Sequence, residues 1–272
     1  MKDVQARVDH RGIALHQVGV SGLSYPVELR SKDGGRQHTV ASFAMSVSLP
    51  HNVKGTHMSR FIEVLNLHHD NISMESFPFF LKAMKNRLQA ETSRVQMGFH
   101  YFLKRKAPVS GAVAQMGFHC RIVGEMKGDT CDLQLEVKVP VTSLCPCSKE
   151  ISDFGAHNQR GTISLTVRPM VKDGIPVPIW IEDLVAIAET SGSSPVYPLL
   201  KRADERHVTM QAYENPAFVE DIVRNVVLGL QQDPRIAWGR VHVENIESIH
   251  DHSAFAMTEW DKEDPLGLAL AS

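Results

Sequence analysis

Residues 141–161, VTSLCPCSKEISDFGAHNQRG, hold the densest group of side chains able to do chemistry in this chain. Cys145 and Cys147 flank a proline, and His157 follows ten residues after the second cysteine. Thiolate and imidazole are the ligands that a borderline-soft divalent cation such as zinc prefers. A cation held here needs at least one further donor from elsewhere, and keeps an open position if it is catalytic. Cys-x-Cys alone is a weak signal, since zinc pairs are usually separated by about two to four residues. A disulfide across a single proline would be strained. The neighbours Ser143, Ser148, Lys149, Glu150, Asp153, Asn158, Gln159 and Arg160 argue against a plain core segment, where each would need a hydrogen-bond partner.

Three other stretches concentrate polar groups. Residues 54–60, KGTHMSR, place small residues between Lys54 and Arg60 and could cradle a phosphate or carboxylate; the bland alternative is a solvated turn. Residues 201–207, KRADERH, form a charge run of the kind that usually faces solvent. The apolar YPLL before it suggests that Glu205 is held in place. Residues 250–253, HDHS, precede the last expected strand, and His-x-His on a strand would put both rings on one face. A soft ligand, histidines, a carboxylate and several cations together suit metal-assisted hydrolysis of a phosphorylated substrate.

These groups must be positioned by a sizeable fold. The chain has 272 residues, 43% hydrophobic and 22% charged, as expected of a soluble globular protein of one large or two ordinary domains. A formal net charge of −2 gives no reason to expect nucleic-acid binding. Without a long apolar run or an apolar signal core, neither membrane insertion nor export is expected. Four cysteines in such a chain do not make a disulfide framework, and a cytoplasmic location is the expectation.

Alternating apolar residues predict strands over residues 13–30 and 37–49, joined by a KDGG turn, and over 93–104 and 113–126. Between these pairs lies a predicted helix over 74–90 capped by Ser73, with Phe77, Phe80, Leu81, Met84 and Leu88 on its core face. After a KGD turn the order repeats. Strands are predicted over 130–141 and 162–168, helices over 181–190 and 215–231, and strands over 236–246 and 254–260. Asn215-Pro216 reads as the N-cap and first position of the second helix. The expected fold class is α+β: two tandem modules, residues 1–127 and 128–272, each an antiparallel four-stranded sheet with helices on one face. Exposed sheet edges favour oligomerisation.

The segments LCPCSKEISDFGAHNQRG, KGTHMSRF, YPLLKRADERHVT, AYENPAFVEDIVR and HDH, spread along nearly the whole chain, are similar to the prokaryotic GTP cyclohydrolase type IB family. The resemblance implies the tunnelling fold with two modules per subunit, a homotetramer and a divalent metal ion (zinc, manganese or iron). It also implies conversion of GTP and water to 7,8-dihydroneopterin triphosphate and formate, with metal-activated water attacking guanine C8, as the first step of tetrahydrofolate biosynthesis. Carried over by motif, Cys145, His157 and Glu205 are the metal ligands, while His250 and His252 join Cys145 and His157 as catalytic groups. Glu220 anchors the guanine ring. Lys54, Arg60, Lys149, Arg160, Lys201 and Arg206 are candidates for the triphosphate. A rival on the same fold, the nitrile reductases of the queuosine pathway, uses a nucleophilic cysteine with NADPH and needs no metal.

Overall fold

A computed structural model of the chain describes Gln5 and residues 7–263. The chain folds into two compact units, each assembled from three separate segments. Of the described residues, unit 1 comprises those up to 100, 121–135 and 171–178; unit 2 comprises 101–120, 136–170 and 179–263.

Unit 1 begins with β1 (Leu15–Arg30) and β2 (Arg36–Leu49), an antiparallel pair joined by the Asp-Gly-Gly turn. Gly34 takes the positive φ that the turn needs, and Asp33 accepts from the Gly35 N–H at 2.9 Å. Two helices follow, α1 (Met58–His68) and α2 (Phe77–Leu88). Then come β3 (Thr92–Lys106), β4 (Val113–Lys127) and β5 (Thr130–Leu144), long strands that each give one end to unit 1 and the other to unit 2. Within unit 1 the hydrogen-bonded order is β1-β2-β3-β4-β5. The period-two set Ala41, Phe43, Met45, Val47 and Leu49 is buried, as the alternation predicts. On α2 the expected face of Phe77, Phe80, Leu81, Met84 and Leu88 is buried too. A Cβ at Gly124 of β4 would fall 2.8 Å from Leu81 and 2.9 Å from Phe77, so glycine lets this helix approach the sheet.

Unit 2 continues from the ends of β3–β5 with α3 (Pro146–Ile151) and β6 (Asn158–Pro169). The two-residue strands β7 (Val171–Lys172) and β8 (Ile175–Pro176) belong to unit 1. Next come α4 (Ile181–Ser191), β9 (Ser194–Pro195), α5 (Arg202–Glu214), α6 (Val219–Gln231), β10 (Ile236–Ile246) and β11 (Ser253–Asp261). The order within unit 2 is β3-β4-β5-β6-β10-β11, with β9 beside β5. Ile163, Leu165 and Val167 of β6 are fully buried, each such side chain contributing about 1.5–3 kcal/mol. On α6, Val219, Ile222, Val223, Val226 and Leu230 form a buried face at helical spacing. The architecture is the expected α+β, antiparallel sheet with helices on one face.

Three local expectations are corrected. The helix expected from residue 74 starts at Phe77, because Ser73 caps a preceding turn and accepts from the Ser76 N–H at 3.1 Å. Asn215 is not the N-cap of α6. It closes α5, its N–H donating to the Gln211 carbonyl at 3.1 Å, and α6 begins after Phe218. The charge run at 201–207, where the sequence predicts no helix, opens α5, whose half-exposed, largely polar surface gives no apolar stripe to read. Among the described residues no helix is long and apolar enough to cross a membrane.

Candidate metal and base-binding site

The candidate site is built on the end of β5. Thr142, Ser143 and Leu144 are gripped from three sides, all within unit 2. The Ser193 N–H donates to the Thr142 carbonyl and the Leu144 N–H to Ser193 Oγ, both at 2.9 Å. The Ala217 N–H donates to the Leu144 carbonyl at 3.1 Å, and Ser143 Oγ donates to the Ala217 carbonyl at 2.9 Å. From β10, Asn245 Nδ2 donates to Ser143 Oγ at 2.9 Å. Asn245 faces Gly161 across β6–β10, where an added Cβ would lie 2.3 Å from Asn245 Oδ1. These bonds fix one arrangement of the chain, although Asn245 Oδ1 itself is buried without a hydrogen-bond partner.

From that base the chain turns at Cys145, extended at φ −69° and ψ 118°, into α3. Pro146 suits the first helical position, where its missing N–H costs nothing. Cys145 Sγ accepts from the Ser148 N–H at 3.4 Å. The Cys145 N–H donates to the His157 carbonyl at 3.1 Å, and the His157 N–H approaches Ser148 Oγ at 3.3 Å. The segment between Cys145 and His157 is thereby folded into a closed loop that brings the two residues' backbones together. Thiol and imidazole are a donor pair suited to a divalent transition metal. Cys147, by contrast, is exposed.

The imidazole is only 14% exposed, and oxygen atoms converge on its Nδ1. Gln159 Oε1 lies at 2.8 Å, Ser248 Oγ at 3.4 Å and Glu247 Oε2 at 4.0 Å. Gln159 Nε2 in turn donates to Glu247 Oε1 at 3.3 Å. Sequence reasoning missed Glu247 and Ser248, which carry no motif. The only available signal was strand register: Arg160 of β6 pairs with Ile246 of β10, so the residue after Ile246 arrives beside the 157–159 segment.

The remaining candidates are distributed as follows. His250 and His252 lie in the connection between β10 and β11 that Glu247 opens, both exposed. That connection is a series of bends, not the strand the His-x-His spacing suggested, yet the rings stack with centroids 5.1 Å apart. Glu220 is exposed in the first turn of α6 and lines a shallow groove of about 570 Å3 with Leu228, Gln231, Ala256 and Met257. A carboxylate on a mostly apolar wall matches a flat heterocycle bearing N–H donors. Lys149 Nζ donates to the Tyr213 carbonyl at 2.6 Å and sits 4.4 Å from the centre of its ring. Arg160, Lys201 and Arg206 are exposed. Lys54, exposed, and Arg60, half-buried in α1, lie in unit 1.

Glu205 occupies the first turn of α5 and is exposed. Among the described residues no three His, Cys, Asp or Glu side chains group closely enough to hold a metal ion. The backbone bond brings residues Cys145 and His157 together, and Glu205 is not grouped with them within one chain. Next to it, Asp204 is fully buried and accepts from the Val109, Ser110 and Lys201 N–H groups at 2.8 Å and from Ser110 Oγ at 2.6 Å. Burial opposes its charge, but these bonds prevail and hold the carboxyl well below the usual range. The start of α5, and hence the Glu205 backbone, is thus pinned to the turn between β3 and β4.

A family model described as type I GTP cyclohydrolase folE2 matches residues 1–256. The GTP cyclohydrolase FolE2 of Nitrosococcus oceani is 50% identical over 262 residues, covering 96% of each chain. That of Methylococcus capsulatus is 50% identical over 260 residues, 96% of this chain and 95% of the other. Among solved structures, a uricase from Bacillus fastidious superposes with a TM-score of 0.57 at 9% identity, over 95% of this chain and 96% of its own. The uricase from Arthrobacter globiformis gives 0.53 at 8% identity, over 91% and 94%. At such identities the likeness speaks for the fold alone, and that fold is the tunnelling fold. By sequence, this chain belongs to the type I GTP cyclohydrolase FolE2 family.

Proposed function

We propose that the chain is a type IB GTP cyclohydrolase that converts GTP and water to 7,8-dihydroneopterin triphosphate and formate, the entry step of tetrahydrofolate biosynthesis. The observation that carries this reading is the closed loop that sets Cys145 beside His157, in a chain half identical to proteins named GTP cyclohydrolase. Cys145 and His157 would hold a zinc, manganese or iron ion, and Glu205, which a single chain does not gather with them, would be the third protein ligand in the assembly. When bound, such an ion supplies Lewis-acid activation of water at neutral pH.

The chain's own residues do the rest. Glu220 accepts two hydrogen bonds from the guanine N–H and amino groups and so keeps C8 at a fixed place. His250 gives a proton to the ring nitrogen beside C8 as water adds there and the five-membered ring opens, and His252 stands next in line. A second hydration releases formate. The ribose rearranges, and closure of the free amine onto its carbonyl returns one water. Lys149, Arg160, Lys201 and Arg206, with Lys54 and Arg60, are the cations available to the triphosphate.

The active assembly is a cytoplasmic homotetramer of subunits with two tandem modules, 1–127 and 128–272, and it engages neither nucleic acid nor membrane. The repeated strand–helix order and the long edge strands β1 and β11 support this reading. Incubating the purified chain with GTP and each divalent ion, while following formate and pterin fluorescence, tests the activity. Equal amounts of the two products are expected, and absence of formate with every ion overturns the proposal.

A further inference from the structure

His157 can bind a cation only through a ring nitrogen that carries no proton, and its surroundings decide which nitrogen that is. The oxygen atoms that approach the ring do so at Nδ1: Gln159 Oε1 at 2.8 Å, with Ser248 Oγ and Glu247 Oε2 further out. The Gln159 side chain could in principle turn either end of its amide toward the ring. Its other end faces Glu247 Oε1 at 3.3 Å, and an ionised carboxylate accepts hydrogen bonds but cannot donate them. The NH2 group is therefore committed to Glu247, and the amide oxygen is committed to His157. Gln159 is 8% exposed, so water cannot readily take over either bond.

We propose that Gln159, oriented by Glu247, holds His157 in the Nδ1–H tautomer and so presents the Nε2 lone pair for cation binding. Gln159 is a positioning residue here: it touches neither the ion nor substrate and acts through the imidazole. The inference deepens the proposed function and rests on its assignment of His157 as a metal ligand. It adds a directional chain, His157 Nδ1–H to Gln159 Oε1 and Gln159 N–H to Glu247 Oε1, that no motif foretells. Partners of this outer kind orient a ligand histidine, and their loss typically weakens metal affinity by about 10–100-fold.

The test uses the full chain, stripped of metal by a chelator and labelled with 15N-histidine. The His157 resonances are assigned by difference from a His157→Gln spectrum. In the wild type, the His157 nitrogens should show a protonated Nδ1 and a bare Nε2. Gln159→Met, similar in size but without the amide, should lose that preference and bind Mn2+ or Zn2+ about 10–100-fold more weakly in a chelator competition. Gln159→Glu, which keeps an acceptor at the ring, should restore the tautomer. A wild-type spectrum with the proton on Nε2 would overturn the inference. So would a Gln159→Met chain with unchanged tautomer and unchanged metal affinity. Should that variant fail to fold, the wild-type spectrum decides alone. The readout is independent of turnover: a chain that makes no formate from GTP but keeps the tautomer would sink the proposed function and leave this inference standing.

Discussion

Two polar segments that look alike in the sequence turn out differently in the fold. Residues 54–60 and 145–160 both mix lysine, histidine, arginine, serine and glycine. In unit 1, the first segment is tied down by backbone bonds: the Lys54 N–H donates to the Arg7 carbonyl at 3.0 Å and the Gly55 N–H to the Gln5 carbonyl at 3.1 Å. His57 caps α1 in position, without a side-chain cap bond. In unit 2, the second segment is tied by side chains to distant parts of the chain. His157 meets Ser248, Gln159 meets Glu247, and Lys149 meets Tyr213. Polar density alone therefore marks a surface. Polar side chains that find partners far away along the chain mark a place where geometry is being held.

That contrast is broken most severely by exchanging which segment matters for turnover. Cys145→Ala removes the thiol proposed to hold the cation and should lower formate release by more than about a thousandfold, the equivalent of several kcal/mol of lost activation. Wild-type turnover in this variant would place the chemistry elsewhere. A smaller effect is expected at the base of the site. In Gly161→Ala the new methyl meets Asn245 Oδ1, so strand pairing must shift at a cost of about 1–3 kcal/mol in a denaturant melt. The same substitution in an Asn245→Ala background should cost distinctly less, because the colliding atom is gone.

Asp233 offers a structural control in unit 2. A side-chain bond from Arg235 is the main reason its carboxyl is held below the ordinary range, and burial opposes it. Arg235 also reaches Asp183 at 2.7 Å. A depressed carboxyl contributes stability that is present above its unfolded value of about 4 and is lost as pH falls toward its folded value. Asp233→Asn should thus cost about 1.5–3 kcal/mol at neutral pH and flatten the acid limb of the stability curve, while formate release at saturating GTP stays intact. An acid limb as steep as that of the wild type would contradict this assignment. The smallest effect belongs to the unit 1 segment: Lys54→Ala should change stability by less than about 0.5 kcal/mol and the KM for GTP by only a few-fold. A much larger KM change would show that this exposed lysine is a principal triphosphate contact and would erase the contrast.

Much of the fold was legible because its signals are local. Period-two burial in β2, β5 and β6 and the apolar face of α2 follow directly from side-chain alternation and helical spacing. α5 was not legible, since a helix that buries only Asp204 and Ala212 has no apolar stripe to detect, and Asn215-Pro216 imitated a cap it does not form. In the site, the Cys145 and His157 motifs were legible as chemistry. Their closure through Ser148 is a loop path that residue types do not announce, and the arrival of Glu247 depends on the register of β6 against β10, which no short window of sequence contains. Glu205 shows the complementary limit: a motif proposes it as a ligand, and one chain does not group it with Cys145 and His157.

Cobalt loading tests most directly whether sulfur and imidazole hold one cation. Co2+ titrated into the metal-free wild-type chain should produce a sulfur-to-cobalt charge-transfer band. The band should be lost in Cys145→Ala and shifted and weakened in His157→Ala, and it should be kept in Lys54→Ala. A band that persists in Cys145→Ala, or that never forms in the wild type, would contradict a metal centre built on the end of β5.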